Sequence, residues 1–257
     1  MTPPPVMRLI ALGASNLTRL CLAVLDAARE QAQGPVEAHL ALGRGRSFGV
    51  KSRLLGRELP GIDGCGLWRA LGDCPELPTT AFVTDVGNDV LYGVEVPRIL
   101  AWVESALQRL SRHTDRVVVA GLPMGTLRPL SAWRFAFVRS LLVPGCRLTL
   151  AQTLDAAERL HAGLARLAER HGATFCEPEP SWYGFDPVHI RRRCAGAAVR
   201  RWLGMTPAGG TMPPLDGTLA RLRLLFARPH ERAWFGVARR HAQPARCFAD
   251  GTTLSLW

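Results

Sequence analysis

Five short apolar runs, each followed by a longer stretch, constrain this chain more than any other feature. The runs lie at Arg8–Leu12, Val36–Leu42, Thr79–Thr84, Arg116–Leu122 and Ala173–Cys176. After the first, Leu17, Leu20, Cys21, Val24, Leu25 and Ala28 recur at helix spacing. Residues 96–112 form a strong amphipathic pattern, helical patterns cover 131–141 and 149–170, and a last helix opens at Phe185 and runs to about Trp202. Strands alternating with helices predict an α/β fold, with a mostly parallel five-stranded sheet between two helical layers in a three-layer α/β/α sandwich. With the flavodoxin-like order 2-1-3-4-5, ligands bind beyond the strand ends where the first and third strands part. The segments after those two strands carry Ser15 and Asn88.

The 257 residues suffice for a main domain over 1–204 and an appendage over 205–257. Residues 205–217 are rich in Pro and Gly and read as a linker. The basic segment beyond ends in a β-hairpin signal, with Asp250-Gly251 between Arg246–Ala249 and Thr252–Trp257. Such a tail is too small for a core of its own and is expected to pack on the main domain.

Composition excludes several classes. Seven cysteines without a Cys-x-x-Cys pair argue against a zinc ribbon and a disulfide framework and suit a reducing cytoplasm. No apolar run reaches bilayer-spanning length, and the first residues lack a basic region and an apolar signal core, so a cytoplasmic location is expected. The net charge of +11 raises nucleic acid as a partner, but Lys51 is the one lysine and no basic run is interleaved with aromatics. Nucleic acid is therefore not the expected partner. The glycines at 43, 45 and 49 follow the second strand and miss the dinucleotide fingerprint by one residue, which excludes a nicotinamide site.

Ser15 stands where the first strand turns into the first helix. There its hydroxyl lies at the sheet edge, beside free helix N–H groups able to hold an oxyanion. It equally suits a helix cap. Asp186-Pro187-Val188-His189 offers a base and a carboxylate to orient it, with Asp186 as a cap, Pro187 at the first helical position and His189 one turn on. An ordinary cap with a surface histidine is the other reading. Gly87-Asn88 follows the third strand, where Gly87 permits a turn and Asn88 can offer an amide N–H; a simple Gly-Asn turn is the other reading. Gly45 or Gly43 can supply a backbone N–H, or simply make a turn.

These pieces, in this order, resemble the SGNH hydrolase superfamily, the GDSL-like lipases and esterases. Gly13-Ala14-Ser15-Asn16 is similar to its first block, Gly43-Arg44-Gly45-Arg46-Ser47 to the second, Gly87-Asn88-Asp89 to the third and Gly184–His189 to the fifth. Ala14 departs from the family, which usually carries an acidic residue there. The resemblance spans residues 7–204. It implies Ser15 as nucleophile, His189 as base and Asp186 as its partner, with an oxyanion hole from the N–H groups of Ser15 and Gly45 (alternatively Gly43) and the side chain of Asn88. The implied function is an esterase or deacylase acting on a small-molecule or carbohydrate ester, with no metal or organic cofactor. An acyltransferase using the same site, or a non-catalytic binding domain, are the alternatives. Arg44 and Arg46 flank Gly45, and Arg191, Arg192 and Arg193 follow His189, so they either make a positive mouth favouring anionic substrates or mostly point into solvent, since successive helix positions cannot all face one site. No Gly-x-Ser-x-Gly elbow surrounds Ser15, which argues against an ordinary α/β-hydrolase.

Overall fold

The computed structural model describes residues 2–54, 56–143, 145–205, 215, 224 and 226–257. The strands are β1 (Met7–Leu12), β2 (Val36–Ala41), β3 (Ser52–Leu54), β4 (Arg57–Leu59), β5 (Thr79–Val83), β6 (Val117–Ala120), β7 (Thr174–Cys176), β8 (Glu231–Trp234), β9 (Val237–Arg240), β10 (Arg246–Cys247) and β11 (Thr253–Leu256). The helices are α1 (Ser15–Ala32), α2 (Leu67–Gly72), α3 (Asn88–Leu91), α4 (Val96–Leu110), α5 (Met124–Leu127), α6 (Ala132–Leu142), α7 (Leu150–Arg170) and α8 (Ala195–Trp202).

Strand alternation sorts the core into two layers. Leu9 and Ala11 of β1 face one way, with Ala38, Leu40, Phe82 and Val118, and pack against α1 and α8. Ile10 and Leu12 face the other way, with Ala81, Val83 and Val119, and pack against α2, α4 and α7. Strands buried on both faces are mainly apolar along their length, which made the central ones visible in the sequence, although Glu37 and His39 interrupt β2 and Thr174 of β7 is exposed. Trp202 anchors α8: it is buried, stacks on Phe82 at 4.6 Å between ring centroids and meets Trp182 edge-on at 6.3 Å.

The three-layer α/β/α arrangement and the order 2-1-3-4-5 are those expected, but the sheet is larger. Its full order is β10-β11-β2-β1-β5-β6-β7, seven strands rather than five. The hairpin at Asp250-Gly251 forms, and β11 continues the main sheet by pairing parallel to β2, Thr253 opposite Glu37 through Leu256 opposite Leu40. Leu254 and Leu256 lie buried in the core against α1 and α8, and Trp257 lies in the opposite one. A second, four-stranded antiparallel sheet, β3-β4-β8-β9, was not expected. The linker read over 205–217 falls almost entirely outside the described residues. Among the described residues, no helix is long and apolar enough to cross a membrane.

Residues 185–189 also depart from expectation. They form a non-helical turn, and α8 begins only at Ala195, after a single 3-10 turn at Arg192–Cys194. The backbone groups a helix would use are committed elsewhere. Val188 O and Ile190 N bond the side chain of Asn16, and Arg191 N donates to Trp182 O.

Candidate active site

The carboxyl ends of β1, β2 and β5 lie side by side, with Leu12 opposite both Ala41 and Val83. Gly13 N donates to Ala41 O at 3.0 Å, and Thr84 N donates to Leu12 O at 2.8 Å, so the loops that follow start from one fixed edge. Gly13 is required by close approach: a Cβ there would lie 2.7 Å from Thr84 Cγ2 and 3.0 Å from Leu17 Cβ. The chain turns at Ala14 and enters α1 at Ser15.

Asp85 organises this turn, and sequence reasoning missed it. Its Oδ2 accepts N–H bonds from Ala14 at 2.9 Å, Asn16 at 2.8 Å and Leu17 at 3.1 Å. Its Oδ1 accepts from Asn16 Nδ2 at 2.8 Å. A carboxylate at a helix amino terminus satisfies orphan donors and is favoured by the helix dipole. The capping role therefore falls to Asp85, and the Ser15 side chain makes no capping bond. The N–H of Ser15 is left without a partner among the described residues. Asp85 adopts φ 60°, in the left-handed region where aspartate is enriched. Gly87, expected to make this turn, sits at φ −68°, which any residue adopts.

Asn16 ties the opposite loop to the same point. Its Nδ2 donates to Val188 O at 2.9 Å, and its Oδ1 accepts from Ile190 N at 2.8 Å. Between those two residues His189 extends toward Ser15, with Nε2 2.9 Å from Ser15 Oγ. His189 Nδ1 lies 2.6 Å from Asp186 Oδ2. The carboxylate can only accept, so Nδ1 carries the proton and Nε2 accepts from the Ser15 hydroxyl. Asp186 Oδ1 accepts the N–H groups of Val188 at 3.1 Å and His189 at 3.2 Å. Burial pushes the Asp186 carboxyl upward, but the imidazole and the two N–H groups outweigh it and hold it below the usual range. The structure thus brings Ser15, His189 and Asp186 into one chain of hydrogen bonds.

The loop after β2 and the start of α3 form the other wall. Asn88 Nδ2 donates to Arg46 O at 3.3 Å, leaving its second amide proton without a partner among the described residues. Gly45 adopts φ 65°, and Tyr92 donates its hydroxyl to Gly45 O at 2.6 Å. Asp89, fully buried, fixes this loop by accepting the Ser47 hydroxyl and, at 2.9 Å, the Phe48 N–H. Burial pushes its carboxyl up to about 6, against the pull of the Phe48 N–H and the Ser47 hydroxyl.

Arg46 does not line a mouth. It is completely buried, with Nε donating to Pro60 O at 3.1 Å and Nη1 to Leu42 O at 3.2 Å and to Trp257 O. It joins the β2 loop to the last strand, so the expectation of a substrate contact is corrected. Arg44 is exposed, as are Arg192 and Arg193, whereas Arg191 donates to Ser181 O.

Glu37, His39 and Cys74 place ligand-type atoms within 4.8 Å of one another. They do not suit a metal. Trp257 Nε1 donates to His39 Nδ1 at 3.2 Å, so the proton of the neutral ring sits on Nε2, the nitrogen facing Glu37 and Cys74. A ligating histidine has the reverse arrangement, with the second nitrogen as donor.

No protein-family model matches the chain, and no curated protein matches it. A solved structure 14% identical to the chain aligns over 77% of it and 96% of its own length with a TM-score of 0.53. The psychrotrophic esterase EstA from Pseudoalteromonas sp. is 12% identical over 76% of this chain and 98% of its own, with a TM-score of 0.45. A member of the lipolytic protein G-D-S-L family from Veillonella parvula is 13% identical over 76% and 94%, with a TM-score of 0.46. At these identities the likeness is one of fold, and the solved structures similar to this chain include an SGNH-hydrolase family esterase and a member of the lipolytic protein G-D-S-L family.

Proposed function

We propose that this chain is a serine esterase of the SGNH type that hydrolyses carboxylic esters through an acyl-enzyme. One observation carries the reading: the continuous line from Ser15 Oγ through His189 to Asp186, at 2.9 Å and 2.6 Å. Ser15 attacks the ester carbonyl as His189 Nε2 takes its proton, and Asp186 holds the ring and stabilises the imidazolium. The tetrahedral oxyanion is held by the N–H groups of Ser15 and Gly45 and by Asn88 Nδ2. The role of Asp85 supports this, since it occupies the neighbouring N–H groups and leaves that of Ser15 to the substrate. The tetrahedral species collapses as His189 protonates the leaving alcohol. Water then attacks the acyl-enzyme with His189 again as base, regenerating Ser15 and releasing the acid. Arg44, beside Gly45 and exposed, meets the substrate at the rim. No step needs a metal or cofactor.

A panel of p-nitrophenyl esters tests the reading. Turnover is expected in the wild type and lost in Ser15→Ala and His189→Ala with the fold retained. Undiminished turnover in Ser15→Ala overturns it.

A further inference from the structure

The second sheet has two chemically different faces. Opposed residues in an antiparallel pair point to the same side, and successive residues alternate. Arg57 is opposite Leu54 and Trp234, Trp234 is opposite Val237, and Arg232 is opposite Arg239. One face therefore carries Arg57, Arg232, Trp234, Val237 and Arg239. The other carries Arg53, Glu58, Glu231 and Arg240, where Arg53 pairs with Glu58 at 2.9 Å and Arg240 with Glu231 at 3.2 Å. The neutralised face is thus separate from one whose arginines have no carboxylate partner among the described residues.

The cationic face borders the loop after β2 that carries Gly43, Arg44 and Gly45. Leu59, on the same side as Arg57, is buried and packs on Gly43. Arg57 Nη2 donates to Arg44 O at 3.2 Å. Arg232 Nε is buried with no hydrogen-bond partner among the described residues. Burial, and then the neighbouring Arg44 and Arg232, hold the Arg57 guanidinium below its ordinary value. Guanidinium groups gathered without a counter-charge repel one another, and an oxyanion that bridges them removes that repulsion with forked hydrogen bonds. Trp234 and Val237 stay about half exposed beside them and offer apolar cover.

We propose that this face binds an anionic group, a phosphate or carboxylate, of the ester substrate. Arg57 and Arg232 grip the oxygens, Arg44 and Arg239 stand at the rim, and Trp234 covers the adjoining carbon chain. That the anion belongs to an ester rests on the esterase reading; that the face binds an anion does not.

Calorimetry on the full chain with hexyl phosphate, and with hexanol as its neutral counterpart, tests the site. Hexyl phosphate should bind and hexanol should not. Arg57→Gln/Arg232→Gln should weaken binding about tenfold or more, the usual scale for losing charge-assisted bonds. Arg53→Gln/Arg240→Gln removes the same charge from the opposite face and should change affinity less than twofold. Equal losses in the two variants overturn the site in favour of a diffuse field. Absence of hexyl phosphate binding with retention on vesicles containing phosphatidylserine overturns it in favour of a membrane surface. If the first variant misfolds, Arg57→Lys/Arg232→Lys keeps the charge, removes the fork and should show an intermediate loss; wild-type affinity in that variant overturns the forked grip. In a parallel assay, the p-nitrophenyl monoester of glutaric acid should exceed p-nitrophenyl pentanoate in kcat/KM, and Arg57→Gln/Arg232→Gln should erase the difference. Hydrolysis of neither ester, with hexyl phosphate still bound, overturns the esterase reading and leaves the anion site standing.

Discussion

Replacing Asp85 with asparagine isolates the carboxylate that builds the nucleophile turn. The backbone is spared, because asparagine accepts φ 60° as readily as aspartate. The hydrogen bonds are not. One oxygen takes three N–H groups and the other takes Asn16 Nδ2. An amide has a single acceptor oxygen, so its NH2 must face a donor whichever way it turns. Asn16 cannot flip to relieve this, since its own amide already bonds Val188 O and Ile190 N in the correct sense. Losing the charge at the helix start costs about 0.3–1 kcal/mol, and a donor left without a partner about 1–3 kcal/mol. The sum is roughly 1–4 kcal/mol, which in a chain of this length lowers Tm by roughly 3–15 °C. Ester turnover should fall in kcat more than in KM, because the displaced turn carries both Ser15 Oγ and the Ser15 N–H. Thermal unfolding at neutral pH and steady-state kinetics read both effects. A Tm within 2 °C of wild type with unchanged kcat would refute this account of the turn.

Asn16→Ala should lower kcat at least tenfold with little change in KM, because it frees the loop that aims His189; loss in KM alone, measured on the same ester, would contradict that role. Asn88→Ala should cost about 10²–10³ in kcat, the usual effect of one oxyanion donor, checked by steady-state turnover. Asp89 carries its proton to about pH 6 when folded, against about 3.9 unfolded, so the folded state binds the proton more tightly between those values. Its contribution is most favourable below about pH 4 and declines by roughly 3 kcal/mol as pH rises through 6. Urea unfolding of wild type and Asp89→Asn should therefore diverge steadily between pH 4 and 6 and run parallel above 7; a constant difference across that range would refute the assignment.

The central sheet was legible because β1, β2, β5 and β6 are largely buried and read as mainly apolar runs, while the short edge strand β7 follows the long helical pattern of α7. The second sheet was not, because its strands are two-faced and short, and β4 pairs with β8 from the far end of the chain. The sequence also shows the hairpin at Asp250-Gly251 but not that β11 lies against β2, since nothing local specifies a neighbour two hundred residues away. At the candidate site, Ser15, Asp186 and His189 were legible from their residue types and order. Asp85 was not, although a charged residue directly after a buried strand, in a turn, was a signal that it has work there. Arg46 was misread because residue type and position do not show that a guanidinium is buried whole, held by three backbone carbonyls through Nε and Nη1 while Nη2 has no partner among the described residues.

Mass spectrometry of the intact protein after incubation with a p-nitrophenyl alkylphosphonate tests the central claim most directly. Wild type should gain one phosphonyl adduct that maps by peptide analysis to Ser15, His189→Ala should label far more slowly, and Ser15→Ala should gain none. An adduct of undiminished yield in Ser15→Ala, or one that maps to another residue, would contradict the assignment of Ser15 as the nucleophile.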